Sequence, residues 1–434
     1  MSNTLEIKAS DFKKTEIGQI LKSWEVKGIM DCCSEVFLGL TTKVDYVESG
    51  GIPLIRAKDI NKGYLSFTEA RCISVEQHRE LTKYRQAQRG DVLITKSGTL
   101  GICAIVDTDK EFSIYESIIV LKPKQDEVLP HFLLWLMRSG ATQKRLLGER
   151  VGSTVGHLNL TDFRCLQVPI PPLNEQNKIA EILSSVDEAI ASTQAVIDQT
   201  RKVKQGLLQQ LLTRGIGHTR FKKSAIGRIP EEWTVKLLQN LATIQTGLAK
   251  GKKIQGDSTK LPYLRVANVQ DGYLDLSEIK MIEIAPKDID RYSLKPGDLL
   301  LTEGGDLDKL GRGDIWQGQI KVCLHQNHIF AVRPNPNVLL PEFLAAQTGS
   351  SYGKEYFLNC GKQTTNLASI NSTQLKNFPI ILPPINEQKE IIKVLNSIRS
   401  NELTVVQELE SLQKLKRGLM QDLLTGRVRV GVTP

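Results

Sequence analysis

Residues 323–328 (CLHQNH) group side chains that could bind a metal ion. The thiol of Cys323 and the imidazoles of His325 and His328 belong to the types that zinc prefers. The run leads into a strand-like segment at residues 329–332, however, and no Cys-x-x-Cys pair accompanies it. The spacing therefore favours a structural or base-contacting role over a zinc site.

Two glycine-containing segments resemble a phosphate-binding loop at first sight. Residues 247–252 and 349–354 both read Gly-x-x-x-Gly-Lys. This pattern is one residue shorter than a P-loop and lacks the Ser or Thr that follows its lysine, so both segments are interpreted as loops. The chain also lacks the Asn/Asp-Pro-Pro-aromatic tetrapeptide of amino-methyltransferases. The sequence therefore predicts a chain without a catalytic centre, a metal or a cofactor of its own.

The composition favours a soluble protein with a polyanionic partner. The 434 residues suffice for two or more globular units, and the net charge of +9 favours binding to an acidic polymer. The seven cysteines are scattered, which predicts reduced thiols. The apolar run at residues 132–137 is far too short to cross a bilayer, and no secretory pattern is visible. We therefore expect a cytoplasmic protein with no membrane partner.

The second half of the sequence repeats the first. Residues 12–27 (FKKTEIGQILKSWEVK) and 221–236 (FKKSAIGRIPEEWTVK) are identical at nine of sixteen positions without a gap. At the same offset, PLIRAKDI at residues 53–60 aligns with PYLRVANV at 262–269. A repeat of this length predicts two similar globular parts.

The alignment continues through three shorter motifs. They are Gly63-Tyr64-Leu65 with Gly272-Tyr273-Leu274, Gly90-Asp91 with Gly297-Asp298, and PPLNEQ at residues 171–176 with PPINEQ at 383–388. Between these motifs the halves diverge, as in KSGT at residues 96–99 against EGGD at 303–306. Strand-like runs lie at residues 92–95, 102–106, 118–121, 299–302 and 329–332, and a short helix is expected at 131–147.

Each half ends in a segment with the pattern of a long coiled-coil helix. From residue 174 to 213, positions spaced alternately by four and three residues are apolar at seven of ten places, and 212 residues later at eight of ten. The positions are Ile179, Leu183, Val186, Ile190, Thr193, Ile197, Thr200, Lys204, Leu207 and Leu211, and then Ile391, Leu395, Ile398, Glu402, Val405, Leu409, Leu412, Lys416, Leu419 and Leu423.

The ends of these helices carry recognisable signals. A Pro-Pro pair precedes each helix, and Asn174 and Asn386 can cap the free amide groups that follow. Gly215 and Gly426 close the other ends. A helix of ~40 residues is ~60 Å long at 1.5 Å per residue.

These features together predict the fold. Because each stripe is a narrow seam, the two helices are expected to bury their seams against each other, in an antiparallel pair. We predict an α+β fold with two similar globular domains, separated by two long antiparallel coiled-coil helices in a pseudo-two-fold arrangement. The predicted boundaries are 1–170 and 216–382 for the globular domains, 171–215 for the first helix and 383–434 for the second helix with its tail.

The ordered motifs resemble those of the specificity subunits of type I restriction-modification systems. Each half has a Trp-x-Val-Lys opening at Trp24 or Trp233, an Arg-containing strand near Gly-Tyr, and a Gly-Asp turn. Pro-Pro-x-Asn-Glu-Gln then enters a helix that ends Gly-Leu-[Leu/Met]-x-x-Leu-Leu-Thr. The resemblance spans nearly the whole chain, and the order and duplication of the motifs make it specific.

The resemblance implies a function and partners. Each globular domain would be a target-recognition domain that reads one half of a split sequence in double-stranded DNA, with the helices as a molecular ruler. Two modification (methyltransferase) subunits would supply S-adenosylmethionine chemistry on adenine. Two restriction (endonuclease and translocase) subunits would supply ATP- and Mg-dependent translocation and cleavage.

A half-site reader needs basic groups for phosphates and amide or planar groups for base edges, and loops between strands are the natural place for them. The residues predicted to bind DNA in the first domain are Arg56, Lys58, Tyr64, Lys96, Ser97, Ser153, Thr154 and His157. Those in the second domain are Arg265, Asn268, Tyr273, Arg312, Gln326, Asn327, Gln363, Thr364, Thr365 and Asn366.

Each basic residue could instead be a solvated surface charge with no role in binding. Arg56 and Arg265 could equally form inward salt bridges, and Tyr64 and Tyr273 could pack within their turns. Three other classes of protein also stay open: a self-contained DNA methyltransferase or nuclease, a coiled-coil scaffold that binds only proteins, and an RNA binder. The chain lacks the stacking motifs that an RNA binder needs, since aromatic residues make up only 6% of it.

Overall fold

The computed structural model describes residues 11–148, 158–249, 256–305, 310–363 and 368–431. Contacts within the chain divide it into two compact units. Unit 1 comprises Met1–Gln194 and Gln407–Pro434, and unit 2 comprises Ala195–Val406. Each unit thus contains one globular part and a piece of each long helix. The domain boundaries expected from the sequence stay a prediction.

Unit 1 is built around a four-stranded antiparallel sheet, the central sheet. Its strands are, in spatial order, Cys33–Leu38, Ile118–Pro123, Val92–Thr95 and Cys103–Ile105. A second four-stranded sheet has the order Ser113–Ile114, Ile52–Ile55, Arg71–Ile73 and Tyr46–Val47. Two-stranded pairs complete the unit: Phe12–Thr15 with Gly18–Leu21, and Glu25–Gly28 with Gln167–Ile170.

Short helices pack on the sheets of unit 1. They are Ile29–Cys32, Val75–Thr82, Pro130–Arg138, Gly140–Leu147 and Leu160–Arg164. The single helix expected at residues 131–147 is wrong, because Ser139 adopts an extended conformation (ψ 140°) and caps a new helix through its hydroxyl. Phe132 and Trp135 of the first of these helices are buried with Val92 and Ile94 of the central sheet. This cluster forms the main core of unit 1.

Unit 2 repeats the architecture. Its central sheet has the strands Ala242–Thr246, Ile329–Pro334, Leu299–Thr302 and Gly313–Ile315 in the same order. Beside it lies a three-stranded sheet of Lys280–Ile284, Thr259–Leu264 and Leu324–His325. Smaller pairings are Phe221–Ser224 with Gly227–Pro230, Thr234–Leu237 with Pro379–Leu382, and Gly304–Gly305 with Ala368–Ser369 and Lys362–Gln363. Its helices are Ile289–Tyr292, Pro341–Gly349, Ser351–Cys360 and Ser372–Lys376. The prediction of two similar globular parts and the five predicted strands are confirmed.

The two long helices are Leu173–Arg214 and Ile385–Leu423. Each begins one residue before the asparagine expected to cap it, so Asn174 lies in the first turn, where its Oδ1 accepts from the Glu175 amide at 2.8 Å. Gly215 and Gly426 have positive φ angles of 64° and 71°, as helix-ending glycines do. Each helix is long enough to extend about 60 Å at 1.5 Å per residue.

Within unit 1, residues 173–194 and 407–423 run antiparallel. Glu175, near the start of the first long helix, lies 3.7 Å from Arg429, whereas Asp187, further along, forms an ion pair with Lys416. Unit 2 has the same relationship between residues 195–214 and 385–406. There Glu402 pairs with Arg201 at 3.0 Å and with Lys204 at 2.8 Å, while Glu387 accepts from the amide of Ile216 beyond the helix end.

The predicted seams are the covered faces of these helices. Every seam position named above is buried or half-buried, whereas Val196, Val203, Leu403 and Leu415 between them are at least half exposed. The three charged seam residues are all in ion pairs, Lys204 with Glu402 and Lys416 with Asp187, which explains how they interrupt an apolar stripe. In the described part of the chain, no helix is long and apolar enough to cross a membrane.

Candidate nucleic-acid interface

In unit 1, the two larger sheets are joined by three residues, Tyr115–Glu116–Ser117. They follow the strand Ser113–Ile114 and precede the strand Ile118–Pro123. The Tyr115 amide donates to the carbonyl of Ile55 at 2.9 Å, and the Glu116 amide donates to that of Leu40 at 2.9 Å. The Ser117 carbonyl accepts from the amide of Lys96 at 2.8 Å. We call these residues the bridging tripeptide of unit 1.

Unit 2 has a bridging tripeptide with the same backbone contacts. It is Gln326–Asn327–His328, between Leu324–His325 and Ile329–Pro334. The Gln326 amide donates to Leu264 at 2.9 Å, the Asn327 amide donates to Leu248 at 3.1 Å, and the His328 carbonyl accepts from Glu303 at 3.0 Å. The two tripeptides therefore occupy equivalent places in two copies of one scaffold.

A matched glycine permits the chain to pass each tripeptide closely. A Cβ on Gly39 would lie 2.2 Å from the carbonyl oxygen of Tyr115, and a Cβ on Gly247 would lie 2.1 Å from that of His325. Neither distance is possible for a side chain, so only glycine fits. Gly247 opens one of the two segments that resemble a P-loop, and its described role is this close approach.

The predicted Arg56 and Arg265 stand at equivalent turns beside the tripeptides. The Arg56 amide donates to the carboxylate of Asp59 at 2.9 Å, and the Arg265 amide donates to the side-chain oxygen of Asn268 at 2.8 Å. In unit 1 the turn also touches the tripeptide, since the Ala57 amide donates to the Ser117 hydroxyl at 3.0 Å. Both side chains are about three-quarters covered, and both form ion pairs, as the alternative reading of these residues expects: Arg56 Nε lies 3.8 Å from Asp59 Oδ2, and Arg265 donates to Glu278 at 3.1 Å. Neither Nε makes a hydrogen bond with the described residues.

Lys58 and Tyr64 belong to the same turn region. Lys58 pairs with Glu69 at 3.5 Å, and both Lys58 and Tyr64 line a small surface cavity of about 240 Å³. Tyr64 and its counterpart Tyr273 are 55% and 57% exposed, so neither is packed in its turn. The carbonyl oxygen of the preceding glycine accepts from an arginine in each unit. Gly63 accepts from Arg138, and Gly272 accepts from Arg399 at 2.7 Å.

Lys96 and Ser97 follow the strand Val92–Thr95 and are half-buried next to the tripeptide of unit 1. Glu303 takes the place of Lys96 in unit 2, and its Oε2 accepts a hydrogen bond from Nδ1 of His328 at 2.6 Å. Thus the charge at this position is reversed between the units.

Two predicted loops lie largely outside the described residues. These are Ser153, Thr154 and His157 in unit 1, and Thr364, Thr365 and Asn366 in unit 2; for Gln363 only the backbone is described, in the strand Lys362–Gln363. Residues just beyond them are anchored at the interface, because Leu158 donates to the Lys96 carbonyl at 3.0 Å and Ile370 donates to the Glu303 carbonyl at 2.8 Å.

Asn268 and Arg312 are held within unit 2. Asn268 is 3% exposed, and its amide nitrogen donates to the carbonyls of Asp275 at 2.8 Å and Glu278 at 3.0 Å. Its side chain therefore organises the turn. Arg312 is half-buried beside Thr302, whose amide donates to its carbonyl at 3.0 Å. The structure thus brings Arg56, Lys96 and Ser97 together in unit 1, and Arg265, Gln326 and Asn327 together in unit 2.

The sequence-based site omitted Tyr115, Glu116 and Ser117. Their side chains share nothing with Gln326, Asn327 and His328, so the repeat alignment gave no signal there. The available signal was the Gly-Leu pair at Gly39 and Gly247, which recurs in both halves and marks where the backbone crosses the tripeptide.

The run that could have bound zinc is structural. His325 is fully buried, its Nδ1 faces the Tyr292 carbonyl at 3.2 Å, and burial lowers its pKa. Burial also raises the pKa of the Cys323 thiol to about 12. Among the described residues there is no group of three or more His, Cys, Asp or Glu side chains placed to hold a metal ion.

Other repeated motifs are also structural. Asp91 and Asp298 of the Gly-Asp turns accept backbone amides at 2.8 Å and pair with Lys122 and Arg333 of the neighbouring strand. The second segment that resembles a P-loop, residues 349–354, is a junction between two helices, where Ser350 caps Gly353. None of these motifs presents a group to a nucleotide.

The comparisons with known proteins agree with this geometry. The sequence matches the type I restriction modification DNA specificity domain over residues 22–200 and again over 230–414. The chain belongs to this family. The domain is present twice, once in each half, as the repeat predicts.

Curated relatives have the same extent. The putative type I restriction enzyme MjaX specificity subunit of Methanocaldococcus jannaschii is 28% identical, with 98% of each chain covered. The EcoKI specificity subunit of Escherichia coli is 24% identical over 96% of this chain and 90% of its own. A solved type I restriction-modification S subunit from M. genitalium shares the fold with a TM-score of 0.54 at 14% identity, with both chains covered completely.

Proposed function

We propose that this chain is the DNA specificity subunit of a type I restriction-modification enzyme, in which each unit reads one half of a two-part target. The observation that carries the proposal is the pair of bridging tripeptides. One backbone arrangement, fixed by three equivalent hydrogen bonds, carries Lys96 and Glu116 in unit 1 but Glu303 and Asn327 in unit 2. Two readers of different half-sites need a common frame with different polar groups.

Affinity would come mainly from phosphate contacts. The net charge of +9 favours a polyanion, and Arg56 and Arg265 stand at matched places beside the tripeptides with Nε atoms that make no hydrogen bond to the described residues. Planar guanidinium groups suit phosphate oxygens because they donate in a fixed fork. We assign these two arginines to the DNA backbone.

The chemistry of the complex is assigned to other subunits. We propose that this chain is not catalytic and carries no cofactor, and that it acts in the cytoplasm with two modification and two restriction subunits. S-adenosylmethionine would be bound by the modification subunits, and ATP and Mg by the restriction subunits. The metal-like and P-loop-like segments of this chain support the division of labour, because their described residues have structural roles.

A selection experiment tests the proposal. The purified complex of this chain with its modification subunits would be incubated with random duplexes, and the bound fraction would be sequenced at several salt concentrations. We expect two short conserved blocks separated by a spacer of fixed length, and an affinity that falls as salt rises. A single contiguous block, or binding without sequence preference, would contradict it. The chain alone is expected to transfer no methyl group to DNA.

A further inference from the structure

We infer that the bridging tripeptides determine base preference, with Glu116 of unit 1 and Asn327 of unit 2 each reading one base pair. The inference rests on the proposed function and adds which residues discriminate between bases and which base each prefers. It follows from the fixed backbone of the tripeptides and from the hydrogen-bonding groups that their side chains leave free.

The backbone of each tripeptide is rigidly placed. Three backbone hydrogen bonds between 2.8 and 3.1 Å hold it between two sheets, and a glycine that no other residue can replace packs against it. A side chain on such a frame keeps its position when it is exchanged for another. This is what a scaffold needs if different side chains are to read different bases from one place.

In unit 1 two charged side chains lie at the tripeptide, those of Glu116 and Lys96. Glu116 and Lys96 are half-buried, and neither side chain has a hydrogen bond or ion pair with the described residues. Water can satisfy such half-buried side chains, so their hydrogen-bonding capacity is available to a base edge or a phosphate. A carboxylate can only accept, so Glu116 would accept from the N4 amino group of a cytosine and would be repelled by the guanine and thymine acceptors.

In unit 2 a short polar chain orients the amide of Asn327. Glu303 Oε2 accepts from His328 Nδ1 at 2.6 Å, and His328 Nε2 lies 3.5 Å from the side-chain nitrogen of Asn327. With Nδ1 protonated toward Glu303, Nε2 is free to accept from the amide. One N–H and the carbonyl oxygen of Asn327 stay available, which is the donor and acceptor pair that matches N7 and N6 of adenine.

His328 and Glu303 are therefore positioning residues for Asn327. Substitution of His328 by Ala leaves the amide but removes what orients it. We expect His328→Ala to weaken discrimination at the same base pair as Asn327→Ala, and at no other. A merely structural role of His328 would instead lower the affinity for all sequences alike.

The test uses the complex of this chain with its modification subunits, bound to duplexes in which one base pair of the target is changed at a time. Wild type is expected to discriminate against each wrong base by about 10- to 100-fold at the two positions concerned. Asn327→Ala should lose most of this at one adenine of one half-site. Glu116→Gln should lose it at one cytosine of the other half-site. In each case the second half-site should be read normally, which also reports that the variant is folded.

A variant that gains a new base preference tests the inference without relying on a loss of function. Asn327→Asp has nearly the same shape but offers only acceptors, so it should change the preferred base at its position from adenine to cytosine. The matched controls are Asn337→Ala and Asp126→Asn, exposed residues beyond the opposite ends of the strands that follow the tripeptides. Both controls should leave the full preference unchanged.

The outcomes separate the two claims. A wild-type complex that reads a two-part target, with unchanged preference in Asn327→Ala, Asn327→Asp and Glu116→Gln, would overturn the role of the tripeptides and leave the proposed function intact. A uniform loss of affinity on all sequences would overturn it as well. A wild-type complex without any two-part preference would overturn the proposed function and this inference together.

Discussion

The indole nitrogen of Trp24 donates to Oε2 of Glu175 at 3.0 Å, across 151 residues of the chain. In unit 2, Trp233 donates to Glu387 in the same way at 2.8 Å. Each bond joins the Trp-x-Val-Lys motif to the Asn-Glu-Gln motif at the start of a long helix. The two most recognisable repeats of the sequence are thus the two halves of one structural contact.

The first prediction concerns stability. Trp24 and Glu175 are 0% and 1% exposed, so Trp24→Phe would leave a buried carboxylate oxygen without its donor. We expect the free energy of unfolding of unit 1 to fall by at least about 1.5–3 kcal/mol, the value for a hydrogen bond to a charged group, because the smaller ring also leaves buried space. Denaturant titration followed by circular dichroism measures it. Tyr84→Phe, at a residue that is 85% exposed, is the control and should have no effect.

The equivalent change in unit 2 should be milder. Glu387 also accepts from the amide of Ile216 at 3.1 Å and from His218 at 2.8 Å, and its side chain is 15% exposed. Trp233→Phe is therefore expected to lower the free energy of unfolding by about 1 kcal/mol less than Trp24→Phe does. Equal losses in the two variants would show that the bond energies do not depend on these additional donors.

The second prediction is a pH dependence that originates at His325. Burial lowers its pKa below the ordinary histidine value of about 6.5. Below that pH the unfolded chain binds the proton more readily than the folded one. The free energy of unfolding of unit 2 should therefore be level above about pH 6.5 and fall below it, by up to about 1.4 kcal/mol per pH unit.

Thermal unfolding between pH 5 and 8 checks this dependence. In His325→Gln the side chain does not titrate, and its amide can still donate to the Tyr292 carbonyl. The contribution of His325 should therefore disappear and the acid-side slope should become shallower. A slope identical to that of the wild type would assign the effect to other groups.

The third prediction concerns Arg56 and Arg265 as phosphate contacts. If each neutralises one phosphate, Arg56→Ala and Arg265→Ala should each reduce the slope of log K against log salt by about one, uniformly across sequences. Fluorescence anisotropy of the complex at several salt concentrations measures the slope. Arg220→Ala, at a residue whose side chain is 87% exposed and outside the interface, should leave it unchanged. A change in base preference in either variant would instead make these arginines base readers.

The fourth prediction concerns the long helices. If they act as a ruler, removing one heptad from each should shorten the tolerated spacer by about 10 Å, or about three base pairs. Removal from one helix alone should disrupt the seam, since Lys204 and Glu402 could no longer pair. Binding to a series of duplexes with different spacers tests both variants. An unchanged spacer preference after the paired deletion would count against the ruler.

The sequence predicted what periodicity and repetition encode. The seam from Ile179 to Leu211 is the covered face of its helix, and the strand expected at residues 299–302 is Leu299–Thr302. Both depend on the local spacing of apolar side chains, which the sequence shows without knowledge of the residues they pack against. Arg56 and Arg265 could be predicted because the motif that both halves share marks the turn in which they lie.

Features that depend on tertiary contacts were missed or left open. The break at Ser139 arises from one extended residue within a sequence that otherwise suits a helix. Glu116 gave no signal because it reads as an ordinary charged residue until the backbone brings it beside Lys96. Asn268, expected to contact DNA, was indistinguishable from a base reader in sequence, yet its amide is used within its own turn.

The most direct test of the central claim is a map of methylated adenines in cells that produce the modification subunits, with this chain present or deleted. The account predicts a split motif, with two short blocks and a fixed spacer, that is methylated only when the chain is present. Exchange of one globular part for that of another specificity subunit should then replace one block and keep the other. Methylation that persists without the chain, or a motif that changes in both blocks at once, would contradict the account.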